Sequence, residues 1–267
     1  MKTTTTSAKI VADSVSPQGA RITTLQLVYP RIIHSEFMTH RVFSRNAMSS
    51  RAIPIAKILE QVRNDPFIPT HWGKNQPGMQ AREELQSDAA EKARAVWVHA
   101  ARRAADSAEA LAGLGLHKQI ANRLLEPFQW MHTVVTATEW SNFFKLRCHP
   151  DAEPHIQALA EAMRAVIDAS TPVERCQHTP YVDQEINSKL PLATAMELSS
   201  ARCARVSYKN HDGTPTTHDK DVSLADTLAA AGHWSPFEHA ATSLPFADQP
   251  AANYRGWRSY RNFLEGF

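Results

Sequence analysis

The residues best suited to chemistry lie in one polar stretch near the N-terminus. Ser49, Ser50 and Arg51 are consecutive, and they supply hydroxyls, backbone N–H groups and a guanidinium, the donors that bind a phosphate. Three further arginines precede them in the same stretch: Arg31, Arg41 and Arg45. Together they predict a nucleotide-phosphate site. For the arginines taken alone, a solvated basic surface is the alternative.

The wider stretch resembles the signature of the flavin-dependent thymidylate synthase (ThyX) family, Arg-His-Arg-x-x-Ser-x-Asn-Glu-x-Ser-x-Arg. Six residues follow this pattern: His40, Arg41, Ser44, Asn46, Ser49 and Arg51. The ordered set is far more specific than any one of its members. The resemblance implies that the first four residues contact flavin and that Ser49, Ser50 and Arg51 anchor the nucleotide.

Three positions depart from the family pattern. Thr39 replaces the first arginine of the signature, and Ala47 replaces its glutamate. Glu36 stands where the family usually has glutamine. An amide both donates and accepts hydrogen bonds, whereas an ionised carboxylate only accepts them. The departures therefore leave open which pyrimidine nucleotide Glu36 would help to bind.

A second block, Asn142 to Arg147, resembles the family's Asn-Phe-x-x-Leu-Arg helix. The resemblance implies that Asn142 faces the flavin and that Arg147 contacts the pyrimidine ring. Methylene transfer to C5 of uracil builds negative charge on the ring oxygens, which a fixed guanidinium would stabilise. A helix-terminal cation is the alternative for Arg147. Upstream, Arg123 resembles another substrate-binding arginine of the family. An alignment shifted by one residue would place Asn122 at that position instead.

A third set of residues resembles flavin-contacting segments of the family but lies in an unexpected place. It comprises Ala204 to Tyr208 and Gly232 to His239, which in the family precede the arginine signature. The resemblance implies flavin contacts from four residues here: Ser207, His233, Ser235 and Glu238.

Residues 16–51 and 235–267 share a pattern that predicts a partial internal duplication. Pro30 precedes Arg41 by the same interval as Pro250 precedes Arg261. We interpret the chain as a permuted variant in which each copy keeps part of the site. The two parts would meet across a subunit interface, as in the family's homotetramers. Chance similarity of two short strand–helix units is the alternative.

The resemblance implies a methyltransferase that uses FAD, methylenetetrahydrofolate and NADPH to convert dUMP to dTMP, most of the chemistry belonging to the cofactors. Arg147 and Ser49 would be catalytic. Substrate binding would involve Glu36, Ser49, Ser50, Arg51, Arg123 and Arg147. Flavin binding would involve His40, Arg41, Ser44, Asn46, Asn142, Ser207, His233, Ser235 and Glu238. We expect a homo-oligomer, a tetramer.

Two other functions stay open. One keeps the fold but transfers a methyl or hydroxymethyl group to dCMP or dUMP for modified DNA. The other is a non-catalytic nucleotide or single-stranded nucleic-acid binder with stacking aromatics: Trp72, Trp257 and Tyr260. We expect no nucleic-acid partner. We also expect no metal site, because the cysteines and histidines do not form two pairs with the spacing of a zinc site. Cys148 is interpreted as a packing residue.

The alternation of predicted strands and helices indicates an α/β (α+β) fold. The family resemblance implies a ThyX-like mixed sheet flanked by long helices, in one domain over residues 1–267. Strands are predicted at 22–28 and 134–135, and loops at 1–20, 64–78 and 170–190. Helices are predicted at 31–42, 53–62, 83–112, 118–125, 139–147, 156–167 and 220–231, with Thr138 capping the fifth. The polar signature lies between the first two, and its residues 49–51 are predicted to form a loop.

Composition indicates a soluble, cytoplasmic protein. The three cysteines are widely separated and odd in number, which argues against a disulfide framework. The apolar runs are far shorter than the roughly 20 residues needed to cross a bilayer, so no membrane partner is expected.

Overall fold

The computed structural model describes residues 3–183, 189–206, 214 and 216–266. Within these ranges, five strands form a mixed sheet in the order β3-β4-β2-β1-β5. They are β1 (Ser7–Val15), β2 (Arg21–Pro30), β3 (Ser44–Ala47), β4 (Trp130–Ala137) and β5 (Val173–Glu174). Neighbours pair antiparallel, except that β5 runs parallel to β1. The predicted mixed sheet flanked by helices is confirmed.

Strand β2 lies inside the sheet, and both of its faces are buried. Leu25, Leu27 and Tyr29 point to one face, where they join the largest apolar core. Thr24 points to the opposite face, because side chains alternate along a strand, and it bonds to His178. The predicted strand at 22–28 is confirmed and extended.

The prediction of a loose N-terminal start is wrong, since β1 forms a hairpin with β2. Asp13 is buried in β1, where Arg21 and Thr23 donate hydrogen bonds to its carboxylate. Asp13 therefore occupies a buried position where an apolar residue would be expected. It interrupts the apolar alternation that would have identified β1 in the sequence.

The segment that leads into the signature is less helical than predicted. A 3-10 helix (Arg31–Ile33) and a short helix α1 (His34–Phe37) replace the predicted helix over 31–42. The chain then turns and enters β3 (Ser44–Ala47), a strand that the sequence did not predict. These four residues pair with β4, and that pairing exists only in the tertiary structure. Residues 49–51 do form a loop.

A group of helices packs around a second apolar core, apart from the one on β2. They are α2 (Ile55–Asn64), α3 (Ser87–Gly113), α4 (Lys118–Ala121) and a 3-10 helix (Asn122–Phe128). Ala101, Ala105 and Ala108 of α3 are fully buried, which lets the neighbouring elements approach closely. The predicted helix over 118–125 is therefore α4 followed by the 3-10 helix, which continues through Pro127.

One face of the sheet is covered by α5 (Ser141–Arg147) and α6 (Pro154–Asp168), as their apolar spacing predicts. Ile156, Leu159 and Met163 pack there against β2. Thr138 does not cap α5, because Trp140 occupies the N-cap position. The Thr138 hydroxyl instead accepts a hydrogen bond from the Arg255 backbone N–H.

The opposite face is covered by the C-terminal segment, which we define as the described residues 175–183, 189–206, 214 and 216–266. Its elements are β6 (Gln177–His178), α7 (Leu192–Arg205), α8 (His218–Ala230), a 3-10 helix (Ser235–Glu238), β7 (Ala241–Ser243), β8 (Pro250–Ala251), β9 (Tyr254–Arg255), β10 (Trp257–Ser259) and α9 (Tyr260–Leu264). Helix α7 was not predicted, because its buried face includes Ser199, Ser200 and Arg202, which weaken the apolar period.

Residues 16–51 and 235–267 differ in local structure despite their similar spacing. β2 is a ten-residue strand of the main sheet, whereas β7 has three residues and pairs with β6 and β10. The residues that correspond in spacing to the segment before Arg41 form the strands β9 and β10. No helix in the described part of the chain is long and apolar enough to cross a membrane.

Candidate functional site

A cavity of about 310 Å³ opens between the loop after β3, the 3-10 helices Arg31–Ile33 and Asn122–Phe128, and the start of β4. We call it the arginine cavity. Its polar lining residues are Arg31, His34, Ser49, Ser50, Arg51, Arg123, Gln129 and His132. The structure thus brings together Ser49, Ser50, Arg51 and Arg123, the four residues predicted to anchor a nucleotide.

The charge around the arginine cavity suits a doubly charged anion. Three arginines line it, and none of the described residues in its lining carries a carboxylate. Behind them, Glu126 pairs with Arg123 at 2.6 Å and with Arg31 at 3.4 Å. The net charge of this group is therefore +2, which matches the charge of roughly −2 on a phosphate monoester at neutral pH.

His34 lines the same cavity, and the sequence reasoning missed it. Its Nδ1 is 2.8 Å from the Tyr29 hydroxyl, which is 2.9 Å from Thr133 Oγ1. Burial, followed by the nearby Arg31 and Arg45, lowers the pKa of His34 to about 4. The imidazole is therefore neutral at pH 7, and Tyr29 fixes its orientation. No sequence signal identified it, because its partners lie on β2 and β4.

Arg147 lies in a second cluster, with Glu36 and His40, and not in the lining of the arginine cavity. Its Nε donates to His40 Nε2 at 3.0 Å, and its Nη1 donates to Glu36 at 3.2 Å. Burial, with Arg147 and Arg45, lowers the pKa of His40 to about 4. A neutral imidazole can accept the hydrogen bond from Arg147, which a protonated imidazole cannot.

Four of the predicted flavin residues lie on the side of β3 that meets the C-terminal segment. Asn46 Nδ2 donates to the carbonyls of Cys203 and Ala204, and Ser235 donates to Asn46 Oδ1 at 3.1 Å. Ser44 and Glu238 line a separate cavity of about 300 Å³. There Arg261 pairs with Glu238 at 2.7 Å.

The remaining predicted flavin residues are mostly on the surface. Arg41, Asn142 and His233 are exposed, while Ser207 lies outside the described residues. His40 is next to Arg41 in sequence, and its ring packs on Phe143 at 4.8 Å. His40 packs against α5, which carries Asn142, so a single chain presents predicted flavin residues on both sides of β3.

Comparison with known proteins identifies the family. The family model described as thymidylate synthase complementing protein matches residues 15–173, which include the arginine cavity and the Arg147 cluster. No curated protein sequence matches the chain.

Solved structures with a similar fold include the UMP/dUMP methylase PolB from Streptomyces cacaoi. Its complex with 5-Br UMP has 16% identity and a TM-score of 0.53, and the match covers 62% of this chain and 90% of PolB. The complex with 5-Br dUMP has 15% identity and a TM-score of 0.52, covering 62% and 92%. At this identity the likeness establishes the fold.

Proposed function

Because this chain belongs to the thymidylate synthase complementing protein family, we propose that it methylates C5 of dUMP to give dTMP, with FAD, methylenetetrahydrofolate and NADPH. The observation that carries the proposal is the convergence of Ser49, Ser50, Arg51 and Arg123 on one cavity with a net charge that suits a phosphate. The fold shared with a UMP/dUMP methylase supports it.

In this proposal the arginine cavity holds the nucleotide. Ser49 and Ser50 donate hydroxyl hydrogen bonds to the phosphate, and Arg51 and Arg123 add charge-assisted bonds. Because these donors are fixed, they hold the phosphate in one place and so orient the attached base for reaction. Arg147 stabilises the negative charge that develops on the ring oxygens when C5 becomes a nucleophile. Glu36 and His40 hold its guanidinium.

FAD is the cofactor that the family implies, and the side chains around Arg41 fit it chemically. Arg41 is exposed and makes no hydrogen bond or ion pair within the described ranges, so its guanidinium is available to a pyrophosphate. Asn142 is exposed as well, and its amide can pair with the donors and acceptors of a flavin edge. We therefore assign His40, Arg41 and Asn142 to flavin. Bound flavin, once reduced, would supply the electrons that turn the transferred methylene into methyl.

Ser44 and Asn46 face the C-terminal segment of the same chain, to which Glu238 belongs, on the other side of β3. One flavin ring cannot lie against both sides of a strand. We propose a homotetramer in which the exposed His233 and Ser235 of one copy approach the Arg41 side of another. Together they would form one flavin site.

A second candidate substrate is dCMP, with a methyl or hydroxymethyl product. The Glu36 carboxylate favours it, because a carboxylate accepts a hydrogen bond from the exocyclic amine of cytosine. Glu36 is also bonded to Arg147 at 3.2 Å, which lowers the charge available to polarise a uracil oxygen. Glu36→Gln would then shift the preference toward dUMP.

Two measurements test the proposed function. Expression in a thymidine-requiring strain should restore growth without thymidine. Incubation of the purified protein with dUMP or dCMP and the three cofactors should give a product whose mass identifies the base and the added group. Salt-sensitive oligonucleotide binding with no flavin-dependent turnover would instead favour the non-catalytic binder.

A further inference from the structure

Asn122 is a fully buried residue at the start of the second 3-10 helix. Its Nδ2 donates to the Ser50 carbonyl at 2.8 Å and to the Ile53 carbonyl at 3.3 Å. The orientation of this amide is unambiguous, because the flipped rotamer would place Oδ1 against two carbonyl oxygens. Both of its amide hydrogens therefore hold the loop that contains Ser50 and Arg51.

The backbone of Asn122 links this loop to other walls of the arginine cavity. Its carbonyl accepts a hydrogen bond from Gln129 Nε2 at 3.4 Å, and Gln129 lines the cavity. The next residue, Arg123, also lines it. Asn122 therefore connects the distant Ser50 loop to Arg123 and Gln129, two other parts of the cavity wall, although its own side chain is not part of the lining.

Asn122 Oδ1 has no hydrogen-bond partner and is buried among the described residues. A buried acceptor without a partner lowers stability. An apolar residue of similar size would fill this space without that cost. The feature that only an amide supplies here is the pair of hydrogen bonds to the Ser50 and Ile53 carbonyls.

We propose that Asn122 is a positioning residue that holds the Ser49–Arg51 loop in the shape that receives the phosphate. This inference rests on the proposed function. Without the two donations, Ser49, Ser50 and Arg51 remain in the chain, but their donors no longer converge. Loss of Asn122 should therefore weaken binding of the phosphate group and leave binding of the nucleoside unchanged.

The test compares Asn122→Asp and Asn122→Ala with the wild-type protein. Aspartate keeps the shape of asparagine but directs a carboxylate at the Ser50 and Ile53 carbonyls. Asn75→Asp, in an exposed loop, is the control for the added charge. Calorimetry measures the affinity for dUMP and for deoxyuridine, and competition by inorganic phosphate reports on the phosphate site without the nucleoside. A thermal melt of each variant shows whether it is folded.

We expect the dUMP affinity of both Asn122 variants to fall about tenfold or more, which corresponds to about 1.4 kcal/mol. Deoxyuridine affinity should stay within about twofold, and competition by phosphate should weaken in parallel with dUMP. An unchanged ratio of dUMP to deoxyuridine affinity in folded Asn122→Asp would overturn the inference. If the wild-type protein itself binds neither ligand, the proposed function fails instead.

Discussion

Ser235 donates a hydrogen bond to Asn46 across 3.1 Å, although 189 residues separate them in the chain. The Asn46 amide also donates to the carbonyls of Cys203 and Ala204. A residue of the arginine signature therefore joins β3 to the C-terminal segment. This contact lies within one chain, where the sequence alone suggested that the two parts meet between subunits.

Asn46→Ala should destabilise the protein by about 2–3 kcal/mol, because it removes three hydrogen bonds worth roughly 1 kcal/mol each. Ser235→Ala removes only one of them, at an exposed position, and should cost less than about 1 kcal/mol. Urea unfolding of both variants measures the difference. Equal losses would show that the Asn46 bonds to the Cys203 and Ala204 carbonyls add no stability.

Arg51→Ala should weaken nucleotide binding more than Arg123→Ala. Arg51 pairs with no carboxylate in the described part of the chain, whereas Arg123 is held by Glu126 at 2.6 Å. We expect a loss of about 10- to 100-fold for Arg51→Ala, as for a charge-assisted bond. Titration of dUMP at two salt concentrations measures it. Arg103→Ala, on the exposed face of α3, is the control and should leave the affinity unchanged.

Replacing Arg147 with glutamine should raise the pKa of His40 from about 4. Burial is the largest cause of the lowered pKa, and it remains in the variant, so the new value should stay below the ordinary 6.5. Removal of the neighbouring positive charge accounts for the rise. An NMR titration of the His40 ring resonances measures the shift. A pKa that does not move would show that Arg147 does not act on His40.

The protein should lose stability in acid through two buried histidines. Burial lowers the pKa values of His178 and His239 to about 3. Their folded pKa values lie below the ordinary 6.5, so the unfolded state binds more protons as the pH falls. The stabilisation is present above pH 6.5 and is lost toward pH 3, by about 1.4 kcal/mol per unit for each residue.

Urea unfolding between about pH 6 and pH 4 measures this slope. His239→Gln should make the slope shallower by about 1.4 kcal/mol per pH unit, because glutamine does not titrate. An identical slope in the variant would rule out His239 as a source of acid instability. His178 is held by Ser14 and Thr24 and His239 by Thr136, so both lie between the main sheet and the C-terminal segment.

Elements with strong local signals were predictable from the sequence. Strand β2 and helices α2, α3 and α6 have regular apolar spacing with clear breaks, and they lie where that spacing places them. β1 and α7 were missed because Asp13 and Arg202 are buried through partners elsewhere in the chain. Local periodicity cannot detect a polar residue that is satisfied at long range.

The sequence by itself predicted a phosphate-binding set, because Ser49, Ser50 and Arg51 are adjacent and their donors need no distant partner to be recognised. Only the tertiary structure decided which segments complete the site. It placed Arg123, His34 and Gln129 beside that loop and Arg147 in a separate cluster, and it put the predicted flavin residues on both sides of β3. The physical reason is that strand pairing fixes which way each side chain points, and the partners of β3 lie far away in the sequence.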